Sequence, residues 1–175
     1  METLTLDASA TSDDAPAIAD RLVFGAGNGK LDRRIDHFSV PAGWACPGAK
    51  DCLSKAVKQL DGKYKVEDGP DILFRCFSAS EEARYPQLRT IRWGNLEALK
   101  AAAGKGTVAQ QARRMADLIT ASLPVRDHGP FDAPPVYRIG GKSNTGVIRL
   151  HIGGDFFSQA YFDAWVLVCR ANPQT

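Results

Sequence analysis

Cysteine is scarce in this chain, with four in 175 residues, and long apolar runs are missing altogether. No stretch of 18 or more apolar residues occurs, so nothing reads as a membrane span. The N-terminus lacks the basic start and apolar stretch of a secretory signal, which points to a reducing, cytoplasmic address. In such a compartment four cysteines are expected to be free, metal-bound or catalytic rather than paired. No G-x-S-x-G, HExxH or Walker pattern is present, which removes the commonest hydrolase and NTPase readings. The glycines of GAGNGK, residues 25–30, match neither the phosphate-binding GxxxxGK[ST] nor a GxGxxG after a clear strand. Large charge of either sign is also lacking: the formal net charge of +2 is too small to announce a nucleic-acid partner. Its distribution is uneven, because residues 1–20 contain five acids and no Lys or Arg, leaving the remainder at about +7.

What is present is an ordinary globular composition, 44% apolar and 24% charged, in a length that suits one domain with a sizeable core. Residues 1–20 read as a mobile leader and residues 21–175 as a single α/β domain. DILFRCF, residues 71–77, has the composition of a buried strand with Ile72, Phe74 and Cys76 on one side. Ser78 and Glu81 then stand in capping-box spacing, so a helix should follow, kink or restart at Pro86 and stop at Gly104. Thr107 and Gln110 repeat that spacing before Val108, Ala112, Met115, Ile119 and Leu123, the most regular helix in the sequence. Residues 124–146, with four prolines and four glycines, read as a long connection with a short strand at VYRI. VIRLHIGGDFFS alternates Ile148, Leu150 and Ile152 against Arg149 and His151 up to Gly153-Gly154. Ser158 should cap a last helix in which Phe162, Trp165, Val166 and Cys169 share an apolar face. The expectation is an α/β fold with a partial, half-barrel-like, mainly parallel sheet flanked by helices, and ligand sites at strand carboxyl ends, where Cys76 and Asp155 would fall.

Two constellations carry chemistry. Cys46, Cys52 and Cys76 offer thiolates suited to an iron–sulfur cluster or to zinc, and Pro47-Gly48 bends the chain between the first two. Their spacing is neither that of a ferredoxin nor that of a zinc ribbon, and buried, unliganded cysteines remain the alternative. Cys169 is expected to pack in the core, so a cubane on the other three would leave one iron open to water, a substrate or a cofactor. Arg149, His151 and Asp155 are the second set, candidates to hold a ligand in a polar cavity. Glu81, Glu82 and Arg84 read as helix-start charges, and His37 and His128 as surface or loop histidines.

FSVPAGWACPGAKDC, FRCFSASEEARYPQLRTIRWGNLEAL and IRLHIGGDFFSQAYFDAWVLV, in that order, resemble the gene-product-eighty-eight family of phage and prophage proteins. The resemblance runs from about Lys30 to Asn172 and implies a role for Cys46, Cys52 and Cys76, but not Cys169, as metal ligands, with iron–sulfur ahead of zinc. IGGDFFS is also remotely similar to the Gly-Gly-acid turn of radical S-adenosylmethionine enzymes, with Asp155 in the acidic place. The chain lacks their C-x3-C-x2-C loop. Set against the phage family, it reads as a shortened member or fragment whose open sheet edge a second copy or another chain would cover. Three functions follow as expectations: an iron–sulfur protein of redox or radical type with a small molecule at its open iron, in the host cytoplasm if phage-encoded; a nucleic-acid-associated module using Lys100, Lys105, Arg113, Arg114 and Arg126; and a structural or host-interaction protein with a zinc site or no metal.

Overall fold

Capping residues and turn glycines set most element boundaries in the computed structural model. It describes residues 21–31, 35–49, 52–71, 73, 75–127, 136–139, 142–144 and 147–172. In chain order the elements are β1 (Gly25–Ala26), β2 (Asp36–Phe38), β3 (Lys55–Lys58), β4 (Tyr64–Glu67), α1 (Phe77–Arg84), α2 (Pro86–Ala103), α3 (Val108–Ser122), β5 (Val125–Asp127), β6 (Val136–Ile139), β7 (Lys142–Asn144), β8 (Ile148–Leu150) and α4 (Gln159–Ala171). The expected leader lies outside the described residues, as does His128.

Three helix starts follow from the sequence. Thr107 Oγ1 accepts from the Gln110 N–H at 3.3 Å while Gln110 Oε1 accepts from the Thr107 N–H at 3.0 Å, a complete capping box on α3. Ser158 Oγ accepts from the Tyr161 N–H at 3.2 Å and starts α4. Pro86 sits in the first turn of α2, where its missing N–H costs no helical bond, so the chain breaks at Tyr85 and restarts. Gly104, at φ 56°, ends α2, and the Arg114 guanidinium donates to the carbonyls of Ala102, Ala103 and Lys105 beside that end.

The core forms where α2, α3 and α4 pack with the strand segment at residues 38–40. Leu96 and Leu99, Met115 and Ile119, Tyr161, Ala164, Trp165 and Val168, with Phe38 and Val40, are all buried. Phe38 lies between Phe24 and Trp165, with ring centroids 5.1 and 5.6 Å away. On α4 the buried face runs through Tyr161, Ala164, Trp165 and Val168, so Cys169 is exposed rather than packed in the core.

The sheets depart from the expectation. Among the described residues only β2 and β8 pair in parallel; β1–β2, β3–β4 and β5–β6–β7 are antiparallel, in three small sheets and no closed barrel. A parallel pair needs a long crossover, and the chain makes one, from β2 to β8; each antiparallel pair joins strands consecutive in the chain. The β3–β4 hairpin, absent from the expectations above, turns at Asp61-Gly62, a legible signal. Residues 71–77 do not form the predicted strand. Leu73 is 85% exposed, Cys76 is the N-cap of α1 and Phe77 is already helical; Ile72 and Phe74 lie outside the described residues. Local bonds hold this stretch instead: Asp71 Oδ1 accepts from the Leu73 N–H at 2.9 Å and Arg75 pairs with Asp68. Because α1 begins before Ser78, the Ser78–Glu81 capping box does not form.

The parallel pairing continues past the strands. His151 N–H donates to Phe38 O at 2.8 Å, Val40 N–H to Gly153 O at 3.1 Å, and Asp155 N–H to Ala45 O at 2.9 Å. Gly154 has a left-handed φ of 73° and lies so close that a Cβ there would be 2.5 Å from Val40 O; a Cβ on Gly153 would be 2.3 Å from Ser78 Oγ and 2.7 Å from Arg92 Cζ. Gly153→Ala is expected to destabilise the fold by about 1–3 kcal/mol through overpacking, and Gly154→Ala by more, as measured by urea unfolding.

Candidate metal centre

The cysteines arrive from two directions. Cys46 ends a series of turns at residues 41–46, whose position is set by the Asp155–Ala45 bond just described. Cys52 and Cys76 are fixed to each other by Ser54, a fully buried residue: its Oγ donates to Cys52 O at 3.4 Å and accepts from the Cys76 N–H at 3.3 Å. Gly69 closes the other side of Cys52, where a Cβ would be 1.8 Å from Cys52 O, so this approach demands glycine.

Cys52 and Cys76 are therefore neighbours. Burial pushes the Cys46 thiol up, against a lowering hydrogen bond from the Gly43 backbone, and Asp155, Cys76 and Cys52 add to the rise. Burial also leads the upward shift at Cys76, opposed by the Ala79 and Ser78 N–H groups, with Cys52 contributing a charge effect and a side-chain hydrogen bond. Those N–H groups belong to the first turn of α1, whose positive end favours a thiolate, although no side-chain bond caps the helix by strict geometry.

Behind the Cys46 loop lies a buried ion pair between Arg92 and Glu82, which the sequence reading takes for a helix-start charge. Glu82 and Arg92 are 0% and 2% exposed. Arg92 Nη1 donates to Glu82 Oε1 at 2.8 Å, to Ser78 Oγ at 2.7 Å and to Ser78 O at 3.1 Å; Nη2 reaches Glu81 Oε2 at 3.2 Å. Glu82 Oε1 also accepts from the Ala42 N–H at 2.9 Å, which attaches α1 to the Cys46 loop. Burial raises the Glu82 carboxyl, while Ala42 and Arg92 pull it down. Asn95, on the next turn of α2, bonds Val23 N and O at 2.8 and 3.0 Å and Ser39 O at 3.1 Å. Arg84 is exposed.

The second predicted set does not converge on one cavity. Arg149 is exposed and lies opposite His37 across the β2–β8 pair. β8 ends at Leu150, and His151 turns into a left-handed conformation at φ 58°. Its Nε2 meets Tyr161 Oη at 3.0 Å, its ring packs edge-on to Phe156 at 4.5 Å, and its Nδ1 is 4.0 Å from Asp155 Oδ1. Asp155 alone of this set acts on a cysteine. His37 is a half-buried strand residue rather than a loop one.

A family model described as gene product 88 matches residues 18–175. The chain belongs to the gene product 88 family. No curated protein and no solved structure matches it, so the likeness to radical S-adenosylmethionine enzymes gains no support from these comparisons.

For this family member, the donor set can be tested against the metals it suggests. Among the described residues no three His, Cys, Asp or Glu side chains are grouped so as to hold a metal ion as they stand. A single zinc ion, with Zn–S near 2.3 Å, requires its sulfurs within about 4 Å of one another. A multinuclear cluster spreads its thiolates over several irons; backbone N–H donors are directed at the Cys46 and Cys76 sulfurs. The surface hollow lined by Pro86, Gln87, Thr90 and Ile91 shares no residue with the thiols.

Removing one member of the ion pair leaves a buried charge uncompensated. Arg92→Met is expected to cost about 3–5 kcal/mol in urea unfolding, and adding Glu82→Leu to recover most of it. Burial lowers the pKa of both His37 and His151. The unfolded chain then binds more protons than the folded one as pH falls below about 6.5. Stability should decline between neutral pH and pH 5, as read from unfolding midpoints, with a shallower decline in His151→Gln.

Proposed function

We propose that this gene product 88 family member is an iron–sulfur protein in which Cys46, Cys52 and Cys76 hold the cluster, and that it serves redox or radical-type chemistry. The observation that supports this most is the link between Cys52 and Cys76 through Ser54 Oγ, with the helix-start N–H groups of Ser78 and Ala79 facing the Cys76 thiol. The buried groups around them fit a positioning role: Glu82 and Arg92 hold the Cys46 loop, the start of α1 and the Gly153 turn in one frame. A bound cluster would supply electron transfer and one iron without a cysteine, open to a small molecule. Asp155 and His151 stand on the Cys46 side, where they can orient such a ligand; exposed Arg149 is set further along the sheet, opposite His37.

Metal binding would release protons, because the Cys46 and Cys76 thiols, raised by burial, must ionise to become ligands. Zinc at the same cysteines is the weaker reading, for the reason of spacing given above. A nucleic-acid role loses one of its basic groups, since Arg114 is engaged with backbone carbonyls at the end of α2. The side chain of Arg126 lies outside the described residues.

Anaerobic purification followed by iron, acid-labile sulfide and zinc assays tests the reading. The expected result is iron and sulfide in comparable amounts with broad visible absorbance, lost in Cys76→Ser while the helical circular dichroism persists. A wild-type chain free of iron, or one carrying zinc without sulfide, overturns it.

A further inference from the structure

We propose that Cys52 and Cys76 are a dithiol that oxidises reversibly to a disulfide, a covalent modification site of this chain that involves no metal. Cys46 takes no part in it. The pair goes beyond the iron–sulfur reading and stands whether or not a cluster binds.

The backbone brings the two residues together. Ser54, 0% exposed, spans them: its Oγ donates to Cys52 O at 3.4 Å and accepts from the Cys76 N–H at 3.3 Å. Leu53, between Cys52 and Ser54, has a left-handed φ of 37°, which a leucine adopts only where its surroundings hold it there. Gly69 presses on the other side of the same turn, where a Cβ would stand 1.8 Å from Cys52 O and 3.1 Å from Leu53 Cβ. Cys52 is thus fixed against the start of α1, where Cys76 is the N-cap. The two thiols also share a hydrogen bond, so closing them to the S–S distance of about 2.0 Å is a movement of side chains within one contact. Both are free and half-buried, within reach of a small reagent. Among the described residues no such backbone link ties Cys46 or Cys169 to another cysteine: Cys46 follows the carbonyl held by the Asp155 N–H, and Cys169 is exposed on α4.

The oxidant is a small-molecule disulfide such as glutathione disulfide. The Cys52 thiolate attacks one of its sulfurs, forming a mixed disulfide and expelling one small thiolate. The Cys76 thiolate then attacks the Cys52 sulfur; the Cys52–Cys76 bond forms, the mixed disulfide breaks and the second small thiolate leaves. Two electrons pass to the small disulfide, and the two cysteine protons end on its two thiols. Reduction runs the same steps backwards, with Cys76 as the departing thiolate. The N–H groups of Ser78 and Ala79, at the positive start of α1, face that sulfur and stabilise it as it leaves. The closed bond ties the base of the β3–β4 hairpin to α1 and occupies two of the three sulfurs that a cluster would use.

The test uses the full chain, reduced, freed of reductant and held with a metal chelator, then exposed to glutathione disulfide both folded and, as a reference, in urea. Remaining thiols are alkylated and tryptic peptides mapped by mass. Cleavage after Lys50, Lys55, Arg75 and Arg84 leaves Cys52 and Cys76 in separate peptides, residues 51–55 and 76–84. The folded chain is expected to give one dominant cross-link, between those two peptides and released by dithiothreitol, with Cys46 and Cys169 alkylated; the unfolded chain should spread its links over several pairs. Cys46→Ser should leave the link intact, and Cys76→Ser should accumulate a glutathione adduct on Cys52 roughly tenfold or more above wild type. A folded wild type whose four cysteines are all alkylated after oxidation, or whose links match the urea distribution, overturns the proposal. Iron and sulfide play no part in this readout, so its failure leaves the cluster reading standing, and anaerobic protein without iron and sulfide leaves the disulfide standing.

Discussion

The fold around the thiols depends on one buried guanidinium. Arg92, on α2, satisfies the carbonyl and hydroxyl of Ser78, the carboxylate of Glu82 and, at its outer edge, Glu81. It also fills the space that Gly153 leaves by having no side chain. Through Glu82 it reaches the Ala42 N–H and so the loop that carries Cys46. Segments from residues 42, 78 and 153 are thus referred to a single side chain. A guanidinium can do this because its donors lie in a fixed plane and point several ways at once, which a lysine ammonium cannot imitate.

Such a node is expensive to bury unless nearly all its partners are present. Its siting directly behind the Cys46 loop and the start of α1 is more economically explained by a need for geometry than by a need for stability, since apolar packing would stabilise the same space at lower cost. Burial raises the pKa of the Cys46 and Cys76 thiols.

The candidate site was legible in part. Cys46, Cys52, Cys76 and Asp155 announce themselves by residue type; the structure ties Cys52 to Cys76 through Ser54 and Asp155 to the residue before Cys46. Glu82, Arg92, Ser54 and Asn95 do not, because charged and polar residues inside a helix or loop ordinarily face water, and only the packing of α1, α2 and the β2 segment encloses these. Residues 71–77 misled for the opposite reason. Their composition favours a strand, but a strand requires a neighbour with which to pair, and Asp71 and Asp68 offered local bonds instead. His151 appeared to continue an alternating strand; contact with Tyr161 and Phe156 turned it out of line.

By itself the sequence determined what is local: the capping box at Thr107, the cap at Ser158, the break at Pro86, the stop at Gly104 and the hairpin turn at Asp61-Gly62. Each is a matter of a few neighbouring residues meeting their own backbone, so nearby chemistry suffices. Strand partners, the inward turn of Glu82 and Arg92, the exposure of Cys169 and the meeting of Cys46 with Asp155 were decided only by the tertiary structure. They join groups up to 112 positions apart in the chain, and no local preference can say which distant surface will close over them.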